Sequence, residues 1–308
     1  MNPNIEYFSL LEYINKIELE EFVLDHIEET TEEFNKYLEK LWMYGKYSAL
    51  MMWIDSMYRE ARASEKIETG KDKVSMIDSD FKFESLELNE KKLHQLHEMI
   101  LADNKDHVPT GKYREKNVKV VGIKNGEPDV AYIAPSPDIV KPMMKEFIEI
   151  YKNPINEQLD NMFIKASLIH LLFVKIHPYM DGNGRTARKI HNIRFTKSFN
   201  KHYDMKLYIS PINISENIYV NKITYAKRLR DIEFDNIKDD NHAINKWFDF
   251  ILNMIDEQLY FIQTRIAQYD KTLEELDMRL TEEEKQLLDE LIKKNKVKRK
   301  SKTKIKKR

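Results

Sequence analysis

The chain has 308 residues, of which 42% are hydrophobic and 33% are charged, and this is enough to bury one substantial core. It contains no cysteine, which excludes disulfide bonds and thiolate metal sites. The sequence starts without a basic region before an apolar run and has no stretch of about 18 apolar residues. We therefore expect no signal peptide, no membrane span and a cytoplasmic location.

The net charge of -1 conceals an uneven distribution of charge along the chain. Residues 292–308 contain eleven Lys or Arg and no acid, so the other 291 residues carry a net charge of -12. Such a basic tail is a candidate for binding nucleic acid, anionic lipid or an acidic partner. A disordered, solubilising end is the alternative.

The first part of the chain is predicted to form consecutive helices up to residue 69. With only 7 Gly and 9 Pro, and apolar residues at helical spacing, the sequence predicts a mainly α protein. A third helix is predicted from about Tyr47 to Glu68, with Gly70 at its C-terminal cap. Residues 71–90 are polar and predict a loop. Two apolar faces precede that loop: Leu10, Leu11, Ile14 and Ile17, and then Phe34, Leu38, Leu41 and Trp42.

A β-hairpin is predicted within this helical pattern, after a short helix around residues 93–100. The runs Val118–Ile123 and Val130–Ile133 flank Asn125-Gly126. Asn-Gly between two such runs is a strong hairpin signal. An isolated hairpin is only marginally stable, so we expect this one to pack against the helices.

Helices resume after Pro137. A long apolar stripe ends at His177-Pro178, because the residue before a proline is disfavoured in the α region. The next helix is predicted from about Asn183 past Ile193, and a late core helix surrounds Trp247. Residues 258–295 predict an extended amphipathic helix or helix pair.

The segment from His177 to Arg188, HPYMDGNGRTAR, concentrates residues suited to binding a polyphosphate. Gly182-Asn183-Gly184 can adopt positive φ and direct successive backbone N–H groups to one point. These amides open a helix, whose N-terminus favours anions. Arg185 and Arg188 lie one turn apart on nearly the same face of that helix. The segment therefore predicts a polyphosphate site.

An acid and a histidine complete the chemistry of this segment. Asp181 would repel phosphate unless a cation lies between them, and Mg²⁺ binds one or two carboxylates together with phosphate oxygens. His177 is placed to accept a proton from an incoming hydroxyl. A lone His before Pro is usually structural, but seven specified positions together favour a site. We predict that it transfers a nucleotide-derived phosphoryl group from ATP.

The same segment resembles the signature of the Fic family, H-x-F-x-D/E-G-N-G-R-x-x-R, with Tyr179 in place of the usual Phe. The resemblance implies an α-helical bundle with a small β-hairpin flap. It also implies transfer of AMP from ATP to a Ser, Thr or Tyr hydroxyl of a protein, with release of pyrophosphate. Seven positions carry the match: His177, Asp181, Gly182, Asn183, Gly184, Arg185 and Arg188.

The resemblance divides the chain and assigns roles to single residues. It implies an N-terminal helical region (1–92), a Fic catalytic core (93–257), and a C-terminal extension with the basic tail (258–308). His177 would be the general base and Asp181 the Mg²⁺ ligand. The implied nucleotide-binding residues are Gly182, Asn183 and Gly184 for the α- and β-phosphates, Arg185 and Thr186 beside them, and Arg188 for the γ-phosphate.

A later segment, Ser215–Leu229, is similar to a further family helix, S-x-x-I-x-x-N-R-x-x-Y-Y-x-x-L. The likeness implies that Asn221 and Tyr225 line the adenine pocket. Lys222 and Ala226 replace the Arg and the second Tyr of the family pattern.

Residues 111–137, which contain the predicted hairpin, look like the target-docking flap of the family. The likeness rests on Gly111-Lys112-Tyr113-Arg114, on the hairpin and on the sequence IAPSP from Ile133 to Pro137. A flap of this kind could hold an extended segment of a target protein by strand addition, which needs no particular side chains.

Ser64 and Glu68 lie at positions i and i+4 on one face of the third predicted helix. Their segment resembles the inhibitory S/T-x-x-x-E-G/N motif of the family, although Thr69 stands at the Gly or Asn position. The resemblance implies that Glu68 pairs with Arg188 and blocks productive binding of the γ-phosphate. An ordinary solvated helix is the alternative. If this inhibition is released when two copies of the chain separate, the inhibited form would be a homodimer.

Two other functions stay open. One is a different reaction at the same site, such as removal of AMP, transfer of another nucleotide or transfer of phosphate. The other is a non-enzymatic role as a nucleic-acid-binding or regulatory protein that carries a relic site.

Overall fold

The computed structural model describes residues 9–70, 87–102, 109–124, 127–204, 210–233, 237–279 and 281–287. The Asn125-Gly126 turn, most of the predicted loop at 71–90 and the basic tail lie outside these residues. The described part is mainly helical with one two-stranded sheet, so the prediction of a helical bundle with a small hairpin is confirmed. None of its helices has the length and apolar composition needed to cross a membrane.

The described residues up to 279 form ten helices and two strands. They are α1 (Leu10–Ile14), α2 (Glu21–Met43), α3 (Gly45–Thr69), α4 (Glu90–Ile100), β1 (Lys119–Lys124), β2 (Glu127–Ile133), α5 (Pro137–Lys152), α6 (Met162–Ile176), α7 (Asn183–His202), α8 (Ser215–Val220), α9 (Lys222–Arg230) and α10 (Ile237–Arg279). A short helical segment at 282–287 follows α10.

Helix α6 is the centre of the bundle, and every one of its residues is buried. It begins where the side chain of Asn161 accepts hydrogen bonds from the amides of Phe163 and Ile164, which satisfies donors that a helix start leaves free. It packs along α7 and also contacts α5 and α10. Because both ends of the signature segment belong to this buried pair, α6 and α7 hold the site rigidly.

Strands β1 and β2 form an antiparallel hairpin, as the sequence predicts. Lys119 pairs with Ile133 and Lys124 pairs with Glu127, with an irregularity between Val120 and Val121. The base of the hairpin is closed by a hydrogen bond from the Ala134 amide to the Val118 carbonyl, 3.1 Å long. The hairpin leads directly into α5, so its base is fixed to the helical body.

Helix α3 crosses the bundle beside α7, α8 and α10. It ends at Gly70, which has a φ of 68° and whose amide bonds the Lys66 carbonyl at 3.0 Å, so the predicted C-terminal cap is confirmed. The expected region boundaries at 92/93 and 257/258 fall inside α4 and α10. Both helices continue through these positions.

Candidate active site

His177 lies at the point where α6 ends, and its backbone has a left-handed conformation with a φ of 51° and a ψ of 58°. Pro178 disfavours a helical residue before it, and the left-handed conformation terminates the helix. A non-glycine residue is uncommon in this region, so neighbouring contacts must hold it. The contacts come from Arg114, at the base of the hairpin.

Arg114 is a buried side chain that binds backbone carbonyl groups from two segments. Its Nε donates to the carbonyl of His177 at 2.8 Å, and its guanidinium also donates to the carbonyls of Lys116 and Pro135. Its own amide donates to the Pro178 carbonyl at 2.9 Å. Arg114 therefore ties the base of the flap to the unusual backbone of His177.

The imidazole of His177 is held through Nδ1. This nitrogen lies 3.3 Å from the Val174 carbonyl and 3.1 Å from the hydroxyl of Tyr132 on β2. Burial lowers the pKa of His177 to about 4, and the nearby charge of Arg114 acts in the same direction. The ring is therefore neutral near pH 7, which is the state a proton acceptor needs.

The turn after His177 is built on Tyr179 and Asn183. Tyr179 is fully buried. The Asn183 side chain accepts from the Tyr179 amide at 2.9 Å and donates to the Tyr179 carbonyl at 2.8 Å. Both polar ends of this side chain are thus used in shaping the turn. A contact between Asn183 and phosphate would have to come from its backbone amide.

His97, on the buried face of α4, connects the turn to the flap. Its Nδ1 accepts a hydrogen bond from the Gly111 amide at 3.1 Å, and its Nε2 donates to the Asp181 carbonyl at 2.9 Å. Its ring stacks on that of Tyr179, with centroids 3.7 Å apart. Burial lowers the pKa of His97, so the neutral form that makes this bridge is favoured.

Helix α7 begins directly after Gly182, whose φ of 74° turns the chain into the helix. The first hydrogen bond of the helix runs from the Thr186 amide to the Gly182 carbonyl, 2.9 Å long. The amides of Asn183, Gly184 and Arg185 therefore have no acceptor within the helix. Such a helix start attracts anions, because its free N–H groups carry partial positive charge.

Two arginines flank this helix start and face carboxylates from α3. Arg188 is almost fully buried and donates from its guanidinium to Glu68 Oε1 at 2.9 Å. It also donates to the hydroxyl and the carbonyl of Ser64, at 3.0 and 3.1 Å. Arg185 lies 3.5 Å from the Glu65 carboxylate. Helix α3 thus supplies an acidic partner to each arginine.

The Glu68 carboxylate also lies against the backbone of Gly184. A Cβ atom added at Gly184 would come within 2.5 Å of Glu68 Oε1 and 3.1 Å of an Arg188 nitrogen. Only a glycine leaves room for this approach. The carboxylate therefore sits at the start of α7, between the free amides and the guanidinium of Arg188.

Asp181 is the carboxylate predicted to bind Mg²⁺. One of its oxygens accepts from the Gly182 amide at 2.6 Å, and the other lies 3.6 Å from Arg185. In the described residues no group of three His, Cys, Asp or Glu side chains is arranged to hold a metal. A single, half-exposed carboxylate fits a Mg²⁺ ion that takes its other ligands from phosphate and water.

The other residues predicted to bind the nucleotide are Thr186, Tyr225 and Asn221, and their side chains differ in their surroundings. Thr186 is fully buried, and its hydroxyl has no partner in the described part of the chain. The hydroxyl of Tyr225 bonds Nε2 of the buried His170 at 2.9 Å. Tyr225 is also close enough to Arg188 and Glu68 to interact electrostatically with both. Asn221 turns towards α10, where its amide lies 3.4 Å from Glu257.

Sequence reasoning did not assign roles to four residues that the structure brings to the site. Arg114 and Tyr132 lie in the flap-like segment, but no local pattern indicates that they reach His177. His97 shares the apolar face of α4 with Leu93, Leu96 and Ile100. A histidine among apolar positions is the feature of the sequence that could have indicated its role. The fourth residue is Glu65, which precedes Glu68 by one turn.

The fold and the site together define a helical bundle in which a loop between two core helices presents a histidine, an amide-rich turn and two arginines beneath a hairpin. Residues 87–193 match the Fic/DOC family. This stretch is about a third of the chain, and it carries the similarity to the Fic/DOC family.

The chain is also similar in sequence to named relatives and in fold to a solved structure. The chain is 29% identical over 109 residues to a protein adenylyltransferase Fic from Drosophila willistoni and 30% identical over 109 residues to that from Drosophila virilis. Each alignment covers 35% of this chain and 20% of the relative, so the chain spans about a fifth of their length. A Fic family protein from Desulfovibrio desulfuricans shares the fold, with a TM-score of 0.57 and 16% identity over 86% of this chain and 78% of that one.

Proposed function

We propose that the protein is an adenylyltransferase that moves AMP from ATP to a Ser, Thr or Tyr hydroxyl of a target protein. One observation carries the proposal: a carboxylate of the chain itself, Glu68, is bound at the α7 start by Arg188 and lies on Gly184. This position binds an anion near a neutral, partly buried histidine. A phosphate of ATP is the anion that such a helix start and arginine pair suit.

The predicted role of His177 is that of general base. In the proposed step the target hydroxyl attacks the α-phosphorus of ATP, a new P–O bond forms, and the bond to the β-phosphate oxygen breaks. Nε2 of His177 takes the hydroxyl proton, and pyrophosphate leaves. Nδ1 already faces Val174 and Tyr132, so Nε2 is the nitrogen available to the substrate.

The triphosphate would lie along the start of α7. The amides that precede the first helical hydrogen bond would donate to phosphate oxygens, with Arg185 and Arg188 neutralising charge on either side. Mg²⁺, held by Asp181 and phosphate oxygens, would supply further charge neutralisation when bound. The turn is held in place by the Asn183 and His97 hydrogen bonds, so it needs little rearrangement when the nucleotide enters.

Autoinhibition follows from the same contact. The Glu68 carboxylate occupies the place where a phosphate would meet Gly184 and Arg188, and two negative groups cannot share it. ATP must displace the carboxylate, or bind without its γ-phosphate against Arg188. Arg188, one partner of the ion pair, is almost fully buried. If the ion pair breaks, the guanidinium of Arg188 is left without a counter-charge, which a phosphate can supply.

The target would dock on the flap at residues 111–137. Strand addition to the hairpin would place an extended segment near His177, since Arg114 and Tyr132 join the flap to that residue. In this arrangement the modified hydroxyl is selected by its position along the bound target strand. The hydroxyl can therefore belong to Ser, Thr or Tyr.

The function is tested by incubating the Glu68→Gly variant with ATP, Mg²⁺ and cell lysate, followed by mass spectrometry of modified peptides. We expect peptides that gain the mass of AMP on a hydroxyl residue, and no such peptides with Glu68→Gly/His177→Ala. A gain of phosphate mass alone, removal of AMP from modified proteins, or equal labelling by the His177 variant would contradict the proposal.

A further inference from the structure

Tyr132 places its hydroxyl beside the candidate base although it belongs to the flap. The hydroxyl lies 2.5 Å from the Val174 carbonyl and 3.1 Å from Nδ1 of His177. Burial holds the pKa of Tyr132 well above its usual value, so the hydroxyl keeps its proton near neutral pH. The group can therefore donate one hydrogen bond and accept others.

The position of that proton follows from the two distances. A carbonyl oxygen can only accept, and the Val174 carbonyl is the closer of the two neighbours. The hydroxyl proton therefore points to Val174, and a lone pair of the Tyr132 oxygen faces His177. Nδ1 of His177 then faces two oxygen acceptors, and this arrangement is favourable only if Nδ1 carries a hydrogen.

The Tyr132 ring is itself held in place. Nζ of Lys175 lies 4.5 Å from the ring centroid, over its face, in a cation–π contact. The same Nζ donates to the carbonyls of Leu229 and Ile232, at 3.1 and 2.6 Å, and it is buried. Because Lys175 is anchored between α6 and the end of α9, the tyrosine ring has little freedom to rotate away from His177.

We propose that Tyr132 is a positioning residue that holds His177 in the tautomer with hydrogen on Nδ1, leaving the lone pair of Nε2 for the substrate. The Val174 carbonyl, at 3.3 Å, is a weaker partner, so the Tyr132 hydroxyl is the closer constraint on the ring. Since Tyr132 lies on β2, the flap that would receive the target also prepares the base. The catalytic consequence rests on the proposed function, whereas the tautomer does not.

The tautomer is measured directly by nitrogen-15 NMR of the full chain labelled at histidine, since the two ring nitrogens have different shifts in each tautomer. The chain has nine histidines, and His177→Gln assigns the signal. In the wild type we expect hydrogen on Nδ1 of His177. In Tyr132→Phe we expect the signals to shift towards a mixture of tautomers. A wild type with hydrogen on Nε2, or unchanged signals in Tyr132→Phe, overturns the proposal.

Tyr13→Phe is the matched control. Tyr13 is a buried tyrosine away from His177, and its hydroxyl bonds Asp240 at 3.2 Å, between α1 and α10. We expect it to leave the His177 signals unchanged. Thermal unfolding of both variants checks that each is folded, and the wild-type spectrum decides the tautomer even if Tyr132→Phe unfolds.

A kinetic measurement extends the test to catalysis, in the Glu68→Ala background. Loss of the hydroxyl should lower kcat by about 3- to 10-fold, the effect of one hydrogen bond, with little change in the KM for ATP. Unchanged kcat together with a shifted tautomer would contradict the catalytic part of the proposal. Failure of Glu68→Ala to transfer AMP at all would count against the proposed function, while the NMR result would still decide the tautomer.

Discussion

The guanidinium of Arg188 donates a hydrogen bond to Glu68 Oε1 over 2.9 Å, and the two residues lie 120 positions apart in the sequence. Arg188 belongs to the helix that would bind ATP, and Glu68 belongs to the last turn of α3. Under the proposed function, the pair would couple nucleotide binding to the position of an N-terminal helix. Whatever moves the end of α3 would change the affinity of the site.

Glu68→Ala removes the carboxylate while keeping a residue that favours helix. We expect AMP transfer to rise by about 10- to 100-fold, the effect of one hydrogen bond to a charged group. Incorporation of labelled AMP measures the change. Glu68→Gln keeps the size without the charge, so it should activate less than Glu68→Ala. If the two variants and the wild type incorporate AMP equally, the carboxylate is not a brake.

Glu65 is expected to be a weaker second contact. Its carboxylate lies 3.5 Å from Arg185, beyond the usual length of a charged hydrogen bond. Glu65→Gln should raise AMP transfer by no more than about 3-fold. Comparison of Glu65→Gln, Glu68→Ala and the double variant gives the coupling between the two contacts. An effect of Glu65→Gln as large as that of Glu68→Ala would show that this ranking is wrong.

Gly184→Ala tests where the phosphates lie. The new methyl group would come within 2.5 Å of the Glu68 carboxylate, so in the Glu68→Ala background it enters the space proposed for phosphate. Alanine favours helix over glycine by about 1 kcal/mol or less, so thermal stability should not fall. The Kd for ATP, measured by calorimetry, should rise by at least about 10-fold. An unchanged Kd would place the phosphates elsewhere.

The signature segment could be predicted from the sequence because its chemistry is contiguous. Twelve consecutive residues contain the base, the turn and both arginines, and helix geometry places Arg185 and Arg188 on nearly the same side. Ser64 and Glu68 could be paired for the same reason, since i and i+4 share a helix face. The sequence alone gives no reason for Glu68 to reach Arg188; only the resemblance to a family supplied that partner.

The contacts that hold the site could not be predicted in the same way. Tyr132 and Arg114 meet His177 across 45 and 63 residues, and no periodicity encodes such a meeting. Apolar patterns also mislead in short elements. The sequence pattern places Leu11 on one apolar face with Leu10, but Leu11 is 40% exposed, because consecutive helix positions point about 100° apart and α1 has only five residues.

His26 provides a pH-dependent contact far from the signature segment. It lies on α2, and its two ring nitrogens bond Asp249 and Asp256 of α10, each at 2.8 Å. The hydrogen bond to Asp256 raises the pKa of His26, with Asp249 adding to the effect, although partial burial opposes it. Both nitrogens can donate to carboxylates only when the ring is protonated.

The sign of the effect on stability follows from linkage. A histidine whose pKa is higher in the folded state stabilises the fold fully below its unfolded pKa, about 6.5. That stabilisation is lost as the pH rises through the raised folded value. We therefore expect the His26 contribution to the free energy of unfolding to fall between pH 6.5 and the folded pKa. His26→Gln should be less stable than the wild type at pH 6 and closer to it at pH 9.

Urea unfolding of both proteins across that pH range measures the difference. Asp249→Asn is the matched variant, because it removes one of the two carboxylates and leaves the histidine in place. Its loss relative to the wild type should also be greater at pH 6 than at pH 9, but smaller than that of His26→Gln. A stability difference between His26→Gln and the wild type that is the same at both pH values would show that His26 is not protonated between the two aspartates.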